Sequence, residues 1–143
     1  MRYVLSVVLI FMFSILSAAP AVADSSTPAI TKVSSFLTSG GSGATFKRTP
    51  QKEFGIGDTV FYITTVAWEP IDSSAGRHKL IWRWYSHGTV VSETKLTARF
   101  KPTPFELWGK LPASSLGTGD HRVELVMDGQ IYDSQNFKIS AQP

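Results

Sequence analysis

Along most of the chain, apolar residues fall into short runs separated by turn residues, as in proteins built from β-strands. The strongest run is Thr59 to Trp68, whose residues are β-branched or aromatic almost throughout. In the run from His78 to Tyr85, side chains alternate between two faces, and only one face carries long charged groups. We expect the other face to point into the core; it consists of His78, Leu80, Trp82 and Trp84.

The C-terminal part of the chain predicts a β-hairpin. Apolar and polar residues alternate from His121 to Met127, and Asp128-Gly129 follows as a two-residue turn that favours positive φ at its centre. Gln130 to Ile139 then returns as the last strand. No segment shows sustained helical periodicity, and no internal repeat is evident. Roughly seven short strands, with turns about every ten residues, predict an all-β fold, an antiparallel sandwich of two sheets.

The N-terminus has a different pattern, which is typical of a secretory signal peptide. Arg2 precedes an apolar run from Val4 to Leu16, and small residues follow, with Ala21 and Ala23 at the two positions that a signal peptidase reads. The run is shorter than the roughly 20 residues of a membrane anchor, and no cysteine follows it for lipid attachment. We expect a signal peptide over residues 1–23, a single domain over residues 24–143, and a secreted or periplasmic product without a membrane span.

Composition excludes several classes of chemistry. The chain has no cysteine, so thiol nucleophiles, thiolate metal sites and redox-active disulfides are excluded. Its formal net charge of +3 is a mild excess, which gives at most weak attraction to anionic partners. No basic face with interleaved aromatic residues is evident, and we expect no nucleic-acid partner. No phosphate loop or dinucleotide-binding motif is present, and we expect no cofactor.

Four motifs lie in order between His78 and Ile139. They are an aromatic Trp-x-Trp strand, a Gly-x-x-x-Val-x-Leu strand, an Asp-Gly turn and a closing Phe-x-Ile strand, here Trp82-Arg83-Trp84, Gly119 with Val123 and Leu125, Asp128-Gly129, and Phe137-Lys138-Ile139. With these motifs the segment resembles small bacterial exported immunoglobulin-like domains, including families of unknown function. The resemblance implies an immunoglobulin-like antiparallel sandwich and a binding or assembly role. The inter-sheet disulfide of antibody domains is missing, so a tryptophan-centred core has to replace it.

Two histidines and an aspartate form a candidate metal site. The strands that hold Trp82 and Val123 are antiparallel neighbours in immunoglobulin-like sheets. This pairing places His87, Asp120 and His121 near one another at one end of the sandwich. Two imidazoles and a carboxylate can bind a metal ion with an open position for water. The alternative, which we favour, is that both histidines are structural, because this loose grouping lacks a diagnostic ligand spacing.

No pair of carboxylates is evidently placed for acid–base catalysis. Glycoside hydrolysis, for example, needs two carboxylates that face each other across a cleft. The candidates are close in sequence, but we assign them to turns or outward faces of one hairpin: Asp120, Glu124, Asp128 and Asp133. We therefore expect no enzymatic activity.

Four aromatic residues do not obviously fit inside the sandwich, namely Trp68, Tyr85, Trp108 and Tyr132. They either pack at the edges of the core or form an exposed patch that binds a partner. The leading hypothesis is an exported, non-enzymatic binding or assembly module that contacts a protein or envelope component through a sheet edge, loops and aromatic surface. The alternative is a carbohydrate- or cell-wall-binding module, which coplanar exposed tryptophans would favour. A metal-binding protein is the least favoured hypothesis.

Overall fold

The computed structural model describes residues 27–40 and 48–141, and these residues form eight strands and one short 3-10 helix, Ala113–Ser115. The strands are β1 (Thr31–Ser39), β2 (Glu53–Gly55), β3 (Thr59–Ala67), β4 (Gly76–Ser86), β5 (Thr89–Phe100), β6 (Phe105–Pro112), β7 (Gly119–Met127) and β8 (Gln130–Ser140). The predicted signal peptide, residues 1–23, lies outside the described residues. Within the described part of the chain, no helix is long and apolar enough to cross a membrane.

The strands form two sheets of unequal size. The small sheet has the order β1-β3-β6, and the large sheet has the order β2-β8-β7-β4-β5. All pairs are antiparallel except β2–β8, which is parallel. This arrangement confirms the predicted all-β sandwich. No sequence pattern predicts β2, because a strand of three residues is too short to show a two-residue period.

The core lies between the two sheets, and aromatic rings occupy much of it. The inward face that the sequence predicts for β4 is confirmed, since its four members are buried: His78, Leu80, Trp82 and Trp84. Trp84 packs edge-on against Phe137 from β8, with ring centroids 6.2 Å apart. These large side chains supply the apolar burial that holds the domain together without a disulfide.

Two of the hairpins close through the same tight turn. Asp128 and Gly129, between β7 and β8, both have positive φ, 51° and 86°, as a type I′ turn requires. His87 and Gly88, between β4 and β5, have φ values of 50° and 79°. The carboxylate of Asp128 also accepts a hydrogen bond from the backbone N–H of Lys79 at 2.9 Å, which ties the turn to β4.

Replacing Gly129 with alanine is expected to lower the free energy of unfolding by roughly 1–2 kcal/mol, because a side chain is strained in the left-handed region. Urea unfolding followed by far-UV circular dichroism measures the change. Gly129→Asn is the control, since asparagine tolerates this backbone conformation better than alanine does. Equal losses in both variants would mean that backbone strain is not the cause.

Candidate binding groove

Trp68 packs in the core, which is one of the two alternatives that the sequence left open, and it does not belong to an exposed aromatic surface. Only 3% of the residue is exposed. Its ring stacks on Phe100 with centroids 5.9 Å apart, and its indole N–H donates to the carbonyl oxygen of Ser73 at 3.0 Å. The chain after β3 therefore returns Trp68 to the core, where a loop carbonyl satisfies its one polar atom.

The other three predicted aromatics lie in different places and do not form one surface. Tyr85 is half-buried, its hydroxyl donates to Glu124 at 2.7 Å, and the guanidinium of Arg122 lies 4.2 Å from the centre of its ring. Tyr132, at the start of β8, is half-buried and packs against the core. Trp108, on β6, is 45% exposed.

His87 and His121 are neighbours at one end of the sandwich, with ring centroids 6.1 Å apart. The pairing of Ser86 with His121 across β4 and β7 accounts for this proximity. Nε2 of His121 donates to the carbonyl oxygen of Gly117 at 2.9 Å, and Asp120 is exposed. Among the residues that the structure describes, no group of three or more His, Cys, Asp or Glu side chains is arranged to hold a metal ion. The metal hypothesis thus gains no support from the geometry.

Two of the four carboxylates are buried rather than exposed, and one of them, Asp133, does not lie on the outward face to which the sequence assigned it. Glu124 does lie on the outer face of the large sheet, but it is covered there by Tyr85 and Arg122. Asp133 is only 8% exposed and is directed between the sheets. The register between β7 and β8 shifts at Leu125/Val126, and such a β-bulge changes the face on which the following residues lie.

Asp133 is the centre of a polar network that closes one side of the sandwich. Its carboxylate accepts hydrogen bonds from Tyr62 at 2.5 Å, from Ser35, and from Nζ of Lys32 at 2.5 Å. Gln135 adds a longer contact at 3.3 Å. The network joins β1, β3 and β8, and therefore ties the small sheet to the large one on the side where β1 and β8 meet.

This network shifts the pKa values of its members. Burial raises the pKa of Asp133, but the hydrogen bonds from Lys32, Ser35, Tyr62 and Gln135 outweigh burial and hold this pKa below its ordinary value. Burial, together with the hydrogen bond to Asp133, raises the pKa of Tyr62. Asp133 is accordingly ionised and Tyr62 neutral at neutral pH, which is the arrangement in which the hydroxyl donates and the carboxylate accepts.

On the opposite side of the sandwich the described strands leave an opening, because three of them form the small sheet and five form the large one. There, a groove of about 510 Å³ lies between the edge strands β5 and β6. This volume is within the range of roughly 300–1,000 Å³ that is usual for ligand sites.

Gly109 on β6 and Trp82 on β4 fix the floor of the groove. A Cβ atom at Gly109 would lie only 2.6 Å from Cδ1 of Trp82, so β6 passes directly above the indole ring. The absence of a side chain at Gly109 is what permits this close approach. Because β6 is the edge strand of the small sheet and lies over β4, no described strand of the small sheet lies over β5, the next strand of the large sheet.

Apolar side chains form the walls of the groove, and Leu96 is the most exposed of them. Leu96 pairs with the buried Leu80 and therefore lies on the inward face of β5, yet it is 52% exposed. Ala98 continues the same face, and Leu107 contributes from β6. An inward-facing leucine is exposed here because no described strand of the small sheet lies above β5.

Charged groups border the groove with a positive excess. Lys95 and Lys110 line it, one from each edge strand, together with the carboxylate of Glu106. Lys95 lies 3.4 Å from Glu93, which also binds Arg83, so this group keeps one positive charge. Glu106 is neutralised by Arg48, whose Nη1 lies 2.9 Å from its Oε2. An apolar channel with a positive rim is the result.

A second depression lies on the outer face of the large sheet and has a similar volume, about 510 Å³. Its lining is polar and charged, with contributions from Tyr85, Asp120, Arg122 and Lys138. Arg122 and Tyr85 are already engaged with Glu124. We therefore regard the groove between β5 and β6, with its exposed apolar face, as the stronger candidate for a binding site.

Of the residues that line this groove, sequence reasoning identified Trp108 as a candidate binding residue and missed Leu96, Leu107, Gly109 and Lys110. Two signals were available. Gly109 is a glycine inside a strand pattern, which often marks a close approach of another group. Leu96 is an isolated apolar residue in an otherwise polar stretch of β5. This second signal is weak, because a single apolar residue does not define an alternation of apolar and polar positions.

Comparison with known proteins bears on the fold. An immunoglobulin-like protein from Pseudomonas aeruginosa superposes with a TM-score of 0.56 at 7% sequence identity, and the match covers 80% of this chain and 99% of that one. The fold is immunoglobulin-like. No protein-family model matches the chain, and no curated protein matches it in sequence. At this level of identity the likeness concerns the fold alone.

Weaker likenesses link this immunoglobulin-like sandwich to parts of larger proteins. A beta-glucosidase from Listeria innocua in complex with glucose has a TM-score of 0.46 at 12% identity, with 79% of this chain and 16% of that chain covered. An alkylpurine DNA glycosylase from Pseudomonas fluorescens has a TM-score of 0.46 at 11% identity, with 78% and 30% covered. The sandwich spans only a minor part of either protein, and neither likeness bears on its function.

Proposed function

We propose that this chain is an exported, non-enzymatic binding module that holds another protein or an envelope component in the groove between β5 and β6. The observation that carries this proposal is the exposure of Leu96, an inward-facing leucine that the small sheet leaves uncovered. The export part rests on the signal-peptide pattern of residues 1–23.

Physical reasons favour a protein occupant. Water is displaced favourably from a continuous apolar surface, and such surfaces on small domains usually mark interaction sites. Trp108 stands next to the groove, and tryptophan is enriched among the residues that dominate protein–protein affinity. Lys95 and Lys110 can add electrostatic attraction at the rim, which increases association rates more than affinity.

The carbohydrate alternative has less support. Sugar-binding surfaces of this kind use exposed aromatic rings in one plane, whereas three of the four tryptophans are buried: Trp68, Trp82 and Trp84. Trp108 is the one exposed tryptophan of the described residues. A single exposed indole beside an apolar groove fits a protein partner better than a polysaccharide.

Capture from an envelope extract of the source organism tests the proposal. Immobilised residues 24–143 are expected to recover one protein in stoichiometric amount, and Leu96→Lys is expected to lose it because a lysine head group in the groove has to be desolvated on binding. Calorimetry with the purified partner is expected to give at least about a tenfold weaker Kd for Leu96→Lys, which corresponds to about 1.4 kcal/mol.

Val33→Lys is the matched control. Val33 is an exposed apolar residue, 61% exposed, and it lies on β1, at the opposite edge of the small sheet. This variant is expected to capture the partner as the unmodified protein does. Recovery of polysaccharide alone, or equal capture by Leu96→Lys, would contradict the proposal.

A further inference from the structure

We infer that the groove takes an extended segment of a partner protein, which adds to the small sheet as a fourth strand paired with β6. This inference rests on the proposed function and specifies how the partner is held. A single added strand satisfies at once the open edge of β6 and the exposed face of β5.

The backbone of β6 offers hydrogen-bonding groups on its outer edge. The N–H of Ala113 donates to the carbonyl oxygen of Asp58 at 2.9 Å, and β3 and β6 pair from there to Phe105 without a shift in register. Because inward- and outward-directed pairs alternate in an antiparallel ladder, the N–H and C=O groups of Lys110 and Glu106 turn away from β3. No described strand pairs with that edge.

Pro112 agrees with this assignment of directions. Pro112 is two residues after Lys110, so its backbone nitrogen is also directed away from β3, on the side where no ladder hydrogen bond to β3 is made. Proline is tolerated at such positions of edge strands, because it removes no hydrogen bond from the sheet.

The other edge of the small sheet is protected against strand addition. β1 has a register shift between Lys32 and Ser34, and bulges and lysines are both devices that block edge pairing. The Asp133 network further ties β1 to β8. The two edges therefore differ: no described strand pairs with β6 on the side away from β3, and an apolar surface lies beside that edge.

The space beside β6 has the size of one strand. Neighbouring strands in a sheet are about 4.8 Å apart, and β5 extends one strand position beyond β6 because β6 lies over β4 at the Gly109–Trp82 contact. A strand that pairs with β6 thus lies above β5. Its side chains on the inward face pack on Leu96 and Ala98, and those on the other face lie next to Trp108.

This geometry determines the chemistry of the segment. Side chains of a strand alternate between faces, so aliphatic residues are required at every second position to cover Leu96 and the half-buried Ala98 beside it. The rim carries Lys95 and Lys110, while Glu106 is paired with Arg48 and Glu93 is shared by Lys95 and Arg83, which leaves a net positive charge. Acidic residues at the ends of the segment complement this charge. The expected occupant is an extended peptide with a two-residue aliphatic period and acidic flanks.

A second copy of this chain does not fit the same position. In a second copy, β6 already lies above its own β4, as the Gly109–Trp82 contact requires. Pairing two β6 strands would place the β4 of each copy in the space occupied by the β5 of the other. The space above β5 accommodates one strand, so the occupant is a strand that has no sheet of its own on the side that faces β5.

Selection from a displayed library of random ten-residue peptides on residues 24–143 tests the inference. Enriched peptides are expected to show aliphatic residues at alternate positions with acidic flanks. A synthetic copy of the most enriched peptide is expected to slow hydrogen exchange at the backbone amides of Lys110 and Glu106, measured by NMR. Failure to enrich a two-residue period, or protection at other strands instead, would overturn the inference.

Two substitutions at one position separate the backbone from the side chain. Lys110→Ala removes the charge and keeps the outward N–H, and it is expected to weaken the peptide by at most about threefold, the effect of an exposed charge. Lys110→Pro removes the N–H as well, and it is expected to bind at least about tenfold more weakly than Lys110→Ala. Thermal unfolding checks that both variants are folded, and equal affinities would overturn strand pairing.

The two proposals fail in different ways. If Leu96→Lys abolishes binding of the captured partner while Lys110→Pro and Lys110→Ala bind it equally, the groove is the binding site but strand addition is wrong. If Leu96→Lys captures the partner as well as the unmodified protein, the groove itself is wrong.

Discussion

Replacing Asp133 with alanine is expected to lower the free energy of unfolding by roughly 2–4 kcal/mol. The substitution leaves the hydroxyls of Tyr62 and Ser35 without their acceptor, and an unsatisfied buried donor is far more unfavourable than the net gain of one hydrogen bond. Lys32 adds less, because its side chain is 44% exposed and water screens its charge. Urea unfolding at pH 7 measures the change.

Asp120→Ala serves as the control, because Asp120 is exposed and lies in the same hairpin. Exposed substitutions usually change stability by about 0.5 kcal/mol or less. A loss in Asp133→Ala no larger than this would mean that the network does not hold the two sheets together.

Asp133 is also expected to make stability depend on pH in the acid range. The folded pKa of this carboxyl lies below its ordinary value, which is about 3.9 in an unfolded chain. Its contribution to stability is therefore complete above the unfolded pKa and is lost as the pH falls through the folded pKa. The stability difference between the native protein and Asp133→Asn is expected to shrink between pH 6 and pH 3, and a constant difference would contradict the assignment.

Gly109→Ala is expected to destabilise the protein by about 1–3 kcal/mol through overpacking, since the new Cβ would lie within 2.7 Å of two Trp82 ring atoms. Trp82→Ala alone is expected to lower the free energy of unfolding by about 3–5 kcal/mol. In the double variant the steric conflict disappears, so its total loss is expected to fall short of the sum by about 1–3 kcal/mol.

Gly57→Ala is the matched control for the steric effect. Nothing lies within 4 Å of a Cβ atom at Gly57, and alanine there is expected to change the free energy of unfolding by less than about 1 kcal/mol. If the Gly109 and Trp82 losses are simply additive, the close contact of β6 with the indole ring does not constrain the fold.

The features that sequence reasoning predicted correctly are those governed by local periodicity. The alternation of side chains in β4 identified its inward face, and Asp128-Gly129 located the last hairpin. Both features are visible in a few consecutive residues, because burial of one face requires alternating apolar residues and a turn with positive φ favours particular residue types. The all-β sandwich of two sheets followed from these elements, and its immunoglobulin-like character from the resemblance carried by four motifs. Whether the first 23 residues are a signal peptide stays a prediction, because they lie outside the described part of the chain.

The failures have a common physical origin in contacts between distant segments. Asp133 was assigned to a surface because one residue of register shift at Leu125/Val126 is invisible in a two-residue pattern. Core and surface positions for Trp68 both stayed open because its stacking partner, Phe100, is far away in sequence. Leu96, on β5, would be buried if the small sheet had a fourth strand above β5. The sequence of β5 alone does not indicate that only three described strands form the small sheet.

The rigid floor of the groove has a consequence for the rate and the entropy of association. The Gly109–Trp82 contact fixes β6 on β4 before anything binds, so the receiving surface loses little freedom when it is filled. Nearly all of the ordering then falls on the incoming chain, at about 1–2 kcal/mol for each residue it fixes. A segment already held extended, for example by prolines outside the paired residues, is expected to bind faster and more tightly than a flexible one of the same composition.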